Sequence, residues 1–149
     1  GAVIIEAGLN NVWEAWTTKA GLESFFAPVC HIDLCVDGLY EILFNPDGEP
    51  GFRGAEGMRI MAFQSRKMLA FTWNAPPHLT SVRQQLTHVV IRFHELAADQ
   101  TKVTLHHDGW GQGGEWDQAF DYFTSAWLEV VLPRLKQRFI TGPIDWNTC

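Results

Sequence analysis

The sequence predicts an α+β domain in which a curved antiparallel sheet wraps around one long C-terminal helix, with an apolar cavity between them. Three observations predict it. From about Ile32 to Asp108, short segments with period-two alternation follow one another through brief turn signals, the pattern of an antiparallel meander. Two short helical patterns stand between an opening strand and that meander. From about Glu115 to Ile140 the periodicity becomes helical and stays so. A sheet with one face covered by a helix is an α+β arrangement.

Val3 to Ala7 reads as a short apolar strand. Asn10 or Asn11 then caps a helix that carries Val12, Trp13 and Trp16 on one face. Thr17 to Gly21 breaks this helix, Leu22 to Phe26 forms the second, and Pro28 ends it. Ile32, Leu34 and Val36 alternate with His31, Asp33 and Cys35, and Asp37-Gly38 gives a tight hairpin signal before Tyr40, Ile42 and Phe44. Asn45 to Gly51 is a loop by composition. Strands are expected over Gly57 to Gln64 and Met68 to Trp73, joined at Ser65-Arg66-Lys67. Asn74 to Val82, with Pro76 and Pro77, forms a longer connection. Thr87 to His94 and Val103 to Asp108 alternate on either side of a turn at Ala97 to Gln100. The sheet therefore has about six or seven strands. Gly109, Gly111, Gly113 and Gly114 loosen the chain before the long helix, and Pro133 removes one hydrogen bond within it and should kink its axis.

A chain of 149 residues fits one domain, residues 1–149, and can bury a core without metal or disulfide. The net charge of −6 argues against a nucleic-acid partner, which needs clustered Lys and Arg. No apolar stretch approaches the roughly 20 residues that span a bilayer. Gly1 to Glu6 lacks the basic region and long apolar run of a signal peptide, so a cytoplasmic location is expected. The chain does not open on Met; an upstream segment is expected to have been removed, and an exported form stays open. Cys30 and Cys35 are five apart on an expected strand and should face opposite ways, while Cys149 reads as a mobile terminal thiol. No phosphate loop, dinucleotide motif or Gly-x-Ser-x-Gly elbow is present, so no cofactor is expected. His106 and Asp108 lack a third metal ligand by spacing, and no metal is expected either.

Several segments in order carry a family resemblance. Val12-Trp13-Glu14-Ala15-Trp16-Thr17 and Phe26-Ala27-Pro28 resemble the opening of the family related to the activator of the heat-shock chaperone ATPase. Asp37-Gly38-Leu39-Tyr40 resembles its Gly-Gly-x-Tyr/Phe hairpin, with Asp in place of the first Gly. Leu69 to Trp73 and Thr101 to Gly111 resemble its fifth-strand motif and its final strand with a glycine-rich exit. That family belongs to the SRPBCC superfamily, which shares the helix-grip fold of START lipid-transfer domains and birch-pollen allergens. The resemblance covers nearly the whole chain. It implies the fold; members include lipid carriers, polyketide cyclase-like enzymes, hormone receptors and chaperone regulators. Two departures stand out: a leading strand that is short, and Pro133 where a helix former is expected.

The chain holds 7 Trp and 10 Phe against 2 Tyr, large rings that must fill a core or line a pocket. Trp116, Phe120, Phe123 and Trp127 share one face of the long helix. In a helix-grip fold that face meets the concave sheet, so these four are candidate ligand-binding residues. Tyr40, Phe44, Phe71, Trp73, His107 and Trp110 are the candidate opposite walls. Such a site would bind a small hydrophobic molecule, aromatic or acyl, as a carrier or sensor. No catalytic group is named under that reading. A cyclase or hydratase would use His107 as base and Tyr40 as proton donor or orienting hydroxyl. A protein-interaction module, chaperone-regulating or otherwise, is the third reading, and a homodimer stays open. Leu128, Leu132, Leu135 and Phe139 form a second line of the helix, expected to serve packing.

Overall fold

The computed structural model describes residues 1–147. Cys149 lies outside the described residues. Strand β1 (Ala2–Ile5) leads to helices α1 (Leu9–Thr17) and α2 (Lys19–Glu23). Strands β2 (Val29–Ile32), β3 (Tyr40–Leu43), β4 (Gly54–Ala55), β5 (Ile60–Gln64), β6 (Met68–Trp73), β7 (Thr87–Ala97) and β8 (Gln100–Asp108) follow. The C-terminal helix comprises α3 (Glu115–Ser125), a π-helical turn over Ala126–Val131, and α4 (Leu132–Thr141). Five strands form one antiparallel sheet in the order β1-β8-β7-β6-β5, and β2-β3-β4 form a smaller one. A bridge between Leu39 and Arg59 links the two sheets. The architecture is the expected α+β helix grip; among the described residues, eight strands are divided between the two sheets.

Local expectations needed correction where side-chain pattern competed with backbone bonding. The helix α1 starts after Gly8, so Asn10 and Asn11 lie inside it and cap nothing. The second helix runs over Lys19–Glu23 rather than Leu22 to Phe26, because the Thr18 hydroxyl accepts from Gly21 N at 3.0 Å and starts it early. The strand through Leu34 and Val36 does not form. Asp33 N donates to Leu39 O at 2.9 Å and Cys35 N to Asp33 O at 2.8 Å, so the chain turns at Asp33. Val36 is left 68% exposed. Asp37 then takes a left-handed φ of 64°, and a Cβ at Gly38 would collide with Asp33 O. Asp37-Gly38 thus belongs to a wider loop pinned to β5, with Asp37 N donating to Ile60 O at 2.8 Å. Cys30 is buried on β2 and Cys35 exposed in this loop, both as free thiols.

The core joins both sheets to the C-terminal helix. Trp16, Phe25 and Phe26 from the α1–α2 region meet Tyr40 and Ile42 of β3, Phe71 and Trp73 of β6, and Trp127, Val131 and Leu135 of the helix. Burying each such side chain stabilises the fold by about 1.5–3 kcal/mol. β1 is short but completes the sheet edge, since Gly1 O accepts from Leu105 N at 2.8 Å. Pro133 follows a widened turn, at the place where the sequence predicts a kinked axis. It cannot donate to Glu129 O, and its ring would press on that carbonyl. The helix widens just before it, with Leu132 N donating to Trp127 O, five residues back. Leu132 and Leu135 of the second helical line are buried, whereas Leu128 is half-exposed.

Candidate functional site

A cleft of about 310 Å³ lies between the C-terminal helix, Trp73, and the connection that follows β6. Its walls are mostly apolar rings: Phe26, Phe44, Trp73, Phe123 and Trp127. Trp73 and Trp127 are 5.4 Å apart between ring centroids, and Phe26 meets Trp127 edge-on at 5.7 Å. The half-exposed Phe44 and Tyr122 and the partly exposed Val130 form part of its lining, so the cleft reaches solvent. The widened turn supplies Ala126, Trp127, Val130 and Val131 together, and π turns of this kind occur often at functional sites.

Sequence reasoning placed ten residues around one cavity, and the structure distributes them. Phe44, Trp73, Phe123 and Trp127 line the main cleft. His107, Trp110 and Phe120 line a smaller hollow of about 120 Å³ on the other side of Phe123 and Trp127. Phe123 and Trp127 are thus a wall shared by two hollows. Tyr40 and Phe71 are fully buried and stack on each other at 4.3 Å, away from both. Trp116 packs with Leu79, Val82, Ala119 and Trp110 in a satellite cluster. Its ring lies so close over Gly111 that a Cβ there would strike it.

The polar groups nearest the aromatic wall are already bonded. Trp127 Nε1 donates to His107 Nδ1 at 3.0 Å, which requires the proton of the neutral ring to sit on Nε2. That Nε2–H then donates to Thr87 Oγ1 at 2.6 Å, and the Thr87 hydroxyl donates to Trp73 O at 3.3 Å. Burial, and secondarily the charge of His88, lower the His107 pKa to about 3. His107 therefore stays neutral and ties the helix to β6 and β7. The Tyr40 hydroxyl donates to Trp16 O at 3.1 Å, and burial with the nearby Cys30 raises its pKa. Neither residue keeps a hydrogen-bonding atom free to do acid–base work in the cleft.

Several lining residues escaped the sequence reading: Ala55, Asn74, Pro76, Arg83, Tyr122 and Arg134. Tyr122, Ala126, Val130 and Arg134 recur every four residues, a spacing that a helix widened by one residue keeps on one side. Pro133 was the available signal for that widening. Arg83 holds the connection after β6 in place. Its guanidinium donates to Ala75 O, to Gly51 O at 2.8 Å and to Gly54 O at 2.9 Å. Only 9% of it is exposed, and burial lowers its pKa while Glu56 works the other way. Arg83→Met removes a donor from three carbonyls, of which Gly54 O keeps Asn74 Nδ2 at 3.1 Å. It is expected to cost about 2 kcal/mol and to open the 74–83 segment to early amide exchange; protection like that of the unmodified protein would refute the bracing role.

A wider hollow of about 770 Å³ lies between α1, α2 and α4, but Glu14, Glu23 and Arg138 make its walls polar. Among the described residues, no three His, Cys, Asp or Glu side chains converge as a metal site would require. Nor is any described helix long and apolar enough to cross a membrane.

A sheet gripping a long helix, with an aromatic cleft between them, defines a helix-grip protein. Residues 6–139 match the model of the family described as activator of Hsp90 ATPase homolog 1-like protein, and the chain belongs to that family. No curated protein matches it by sequence. Among solved structures, a conserved protein of unknown function from Enterococcus faecalis is 23% identical, with a TM-score of 0.69 over 99% of this chain and 74% of that one. An Hsp90 activator from Plasmodium falciparum is 14% identical, with a TM-score of 0.67 over 97% of this chain and 95% of that one. The Aha1 dimer from Colwellia psychrerythraea gives 18% identity and a TM-score of 0.66, over 95% of each chain. At these identities the likeness establishes the fold.

Proposed function

We propose that this protein binds a small hydrophobic molecule, aromatic or acyl, in the cleft between sheet and helix, as a carrier or sensor. The observation that supports this reading is the cleft itself: about 310 Å³ walled by Phe26, Trp73, Phe123 and Trp127 and reaching solvent beside Phe44. That volume falls at the lower end of small-molecule sites. The occupied hydrogen bonds of His107 and Tyr40 favour binding over acid–base catalysis at those residues. Trp73 and Trp127 make occupancy visible as a change in intrinsic fluorescence. Ala126 sits on the wall, and Ala126→Phe should fill the cleft. Uptake of apolar probes by the unmodified protein, lost in a folded Ala126→Phe variant, is the expected result. Uptake that survives the substitution would move the site elsewhere.

Family membership favours a second reading, regulation of the Hsp90 ATPase. Its test is ATP turnover by purified Hsp90 with and without this chain; an unchanged rate counts against it.

A further inference from the structure

The charges around the cleft do not follow the charge of the chain. The sequence carries 17 acidic residues against 11 Lys and Arg. Yet the charged residues that line the cleft are Arg83 and Arg134, with no Asp or Glu in the lining. Among the described residues the ion pairs are Lys19–Glu23 and His31–Glu41, so neither arginine has a carboxylate within salt-bridge reach. The charge that Arg83 feels most is that of Glu56, whose oxygens already accept from Gly51 N at 2.8 Å and Arg53 N at 2.6 Å.

The two arginines differ in what they have left to give. Arg83 commits three of its five N–H groups to backbone carbonyls, which fixes its guanidinium in place. Arg134 stands over the Trp146 ring, 5.3 Å from its centroid. A cation held over an aromatic face keeps its N–H groups available for a planar, bidentate partner. Arg134 is on α4, directly after the widened turn, in line with Ala126 and Val130. Low-dielectric walls of Trp and Phe strengthen the field of both cations inside the cleft.

We infer that the cleft takes an apolar monocarboxylic acid, its body against Trp73, Phe123 and Trp127 and its carboxylate paired with Arg134. Arg83 adds positive potential and is not a ligand. This inference rests on the proposed function and narrows it to one chemical class. A neutral isostere would fill the same walls and leave Arg134 without a counter-charge.

The experiment compares matched probes on the intact protein at pH 7: 4-phenylbutyrate against 4-phenylbutanol, and decanoate against 1-decanol. Affinities come from Trp fluorescence and calorimetry. Each acid is expected to bind roughly tenfold more tightly than its alcohol, the gain of a charge-assisted bidentate pair. Arg134→Gln should abolish that preference, read as the ratio of acid to alcohol affinity within the same variant. Equal affinity for acid and alcohol, or tighter binding of the alcohol, would overturn the acid preference and leave the apolar-ligand reading standing. Binding of neither member of either pair would overturn both. A preference retained in Arg134→Gln would reject the assignment to Arg134. The comparison in the unmodified protein needs no variant to fold.

Discussion

Trp127→Ala is expected to lower the unfolding free energy by about 3–5 kcal/mol, the range for removing a buried Trp. Trp127 is 4% exposed and its ring meets Phe26, Trp73, Phe123 and His107. Truncation removes those contacts and leaves His107 Nδ1 without its donor. It also breaches the wall between the main cleft and the hollow behind it, because Trp127 lines both. The variant should therefore unfold at much lower urea and admit bulkier apolar probes. Trp127→Phe keeps most of the ring and loses the N–H, so its cost should fall to about 1–2 kcal/mol. Equal losses for the two variants would mean that the hydrogen bond, and not the ring, carries the effect.

Stability is expected to fall as pH drops from about 6.5 toward 3, with His107 as a principal cause. Its pKa lies near the usual 6.5 in the unfolded chain and at about 3 when folded. Between those values the unfolded state binds the extra proton, so acid favours unfolding. Above pH 6.5 the neutral ring contributes in full; below 3 the penalty levels off. At pH 4 the expected loss is on the order of 3 kcal/mol. Glu23 and Glu56 add to acid sensitivity only at lower pH. In both, burial raises the carboxyl pKa but hydrogen bonds outweigh it, holding them below 4.5. His107→Gln can still accept from Trp127 and donate to Thr87. Its stability should be nearly flat from pH 6.5 to 5, where the unmodified protein already declines. An identical slope in the two proteins would exclude His107 as the source.

The large elements were legible because their periodicities are backed by burial. Val89, Ile91 and Phe93 of β7 alternate in sequence and alternate inward in the structure. Phe123 and Trp127 were placed on the helix face that meets the sheet, and they lie there. The loop at Leu34 and Val36 misled because alternation without burial carries no register. Backbone bonds at Asp33 decided that segment instead. His107 was legible as an inward residue by parity. Its role was not, since that depends on Trp127 and Thr87 arriving from distant elements. Arg83 and Arg134 were missed for a related reason. Neither belongs to an apolar pattern, and their shared placement arises only when the 74–83 connection meets the helix.

The widened turn before Pro133 also sets a phase relation between the two halves of the C-terminal helix. A π turn accommodates one residue more than an α turn, equivalent to a rotation of about 100° for everything downstream. Upstream of it, Phe123 is phased to the sheet aromatics; downstream, Leu132 and Leu135 are phased to the core. An unbroken α-ladder could satisfy one of these phases and not the other, and Arg134 would swing off the cleft. The extra residue therefore lets one helix address two surfaces whose directions do not share a common period.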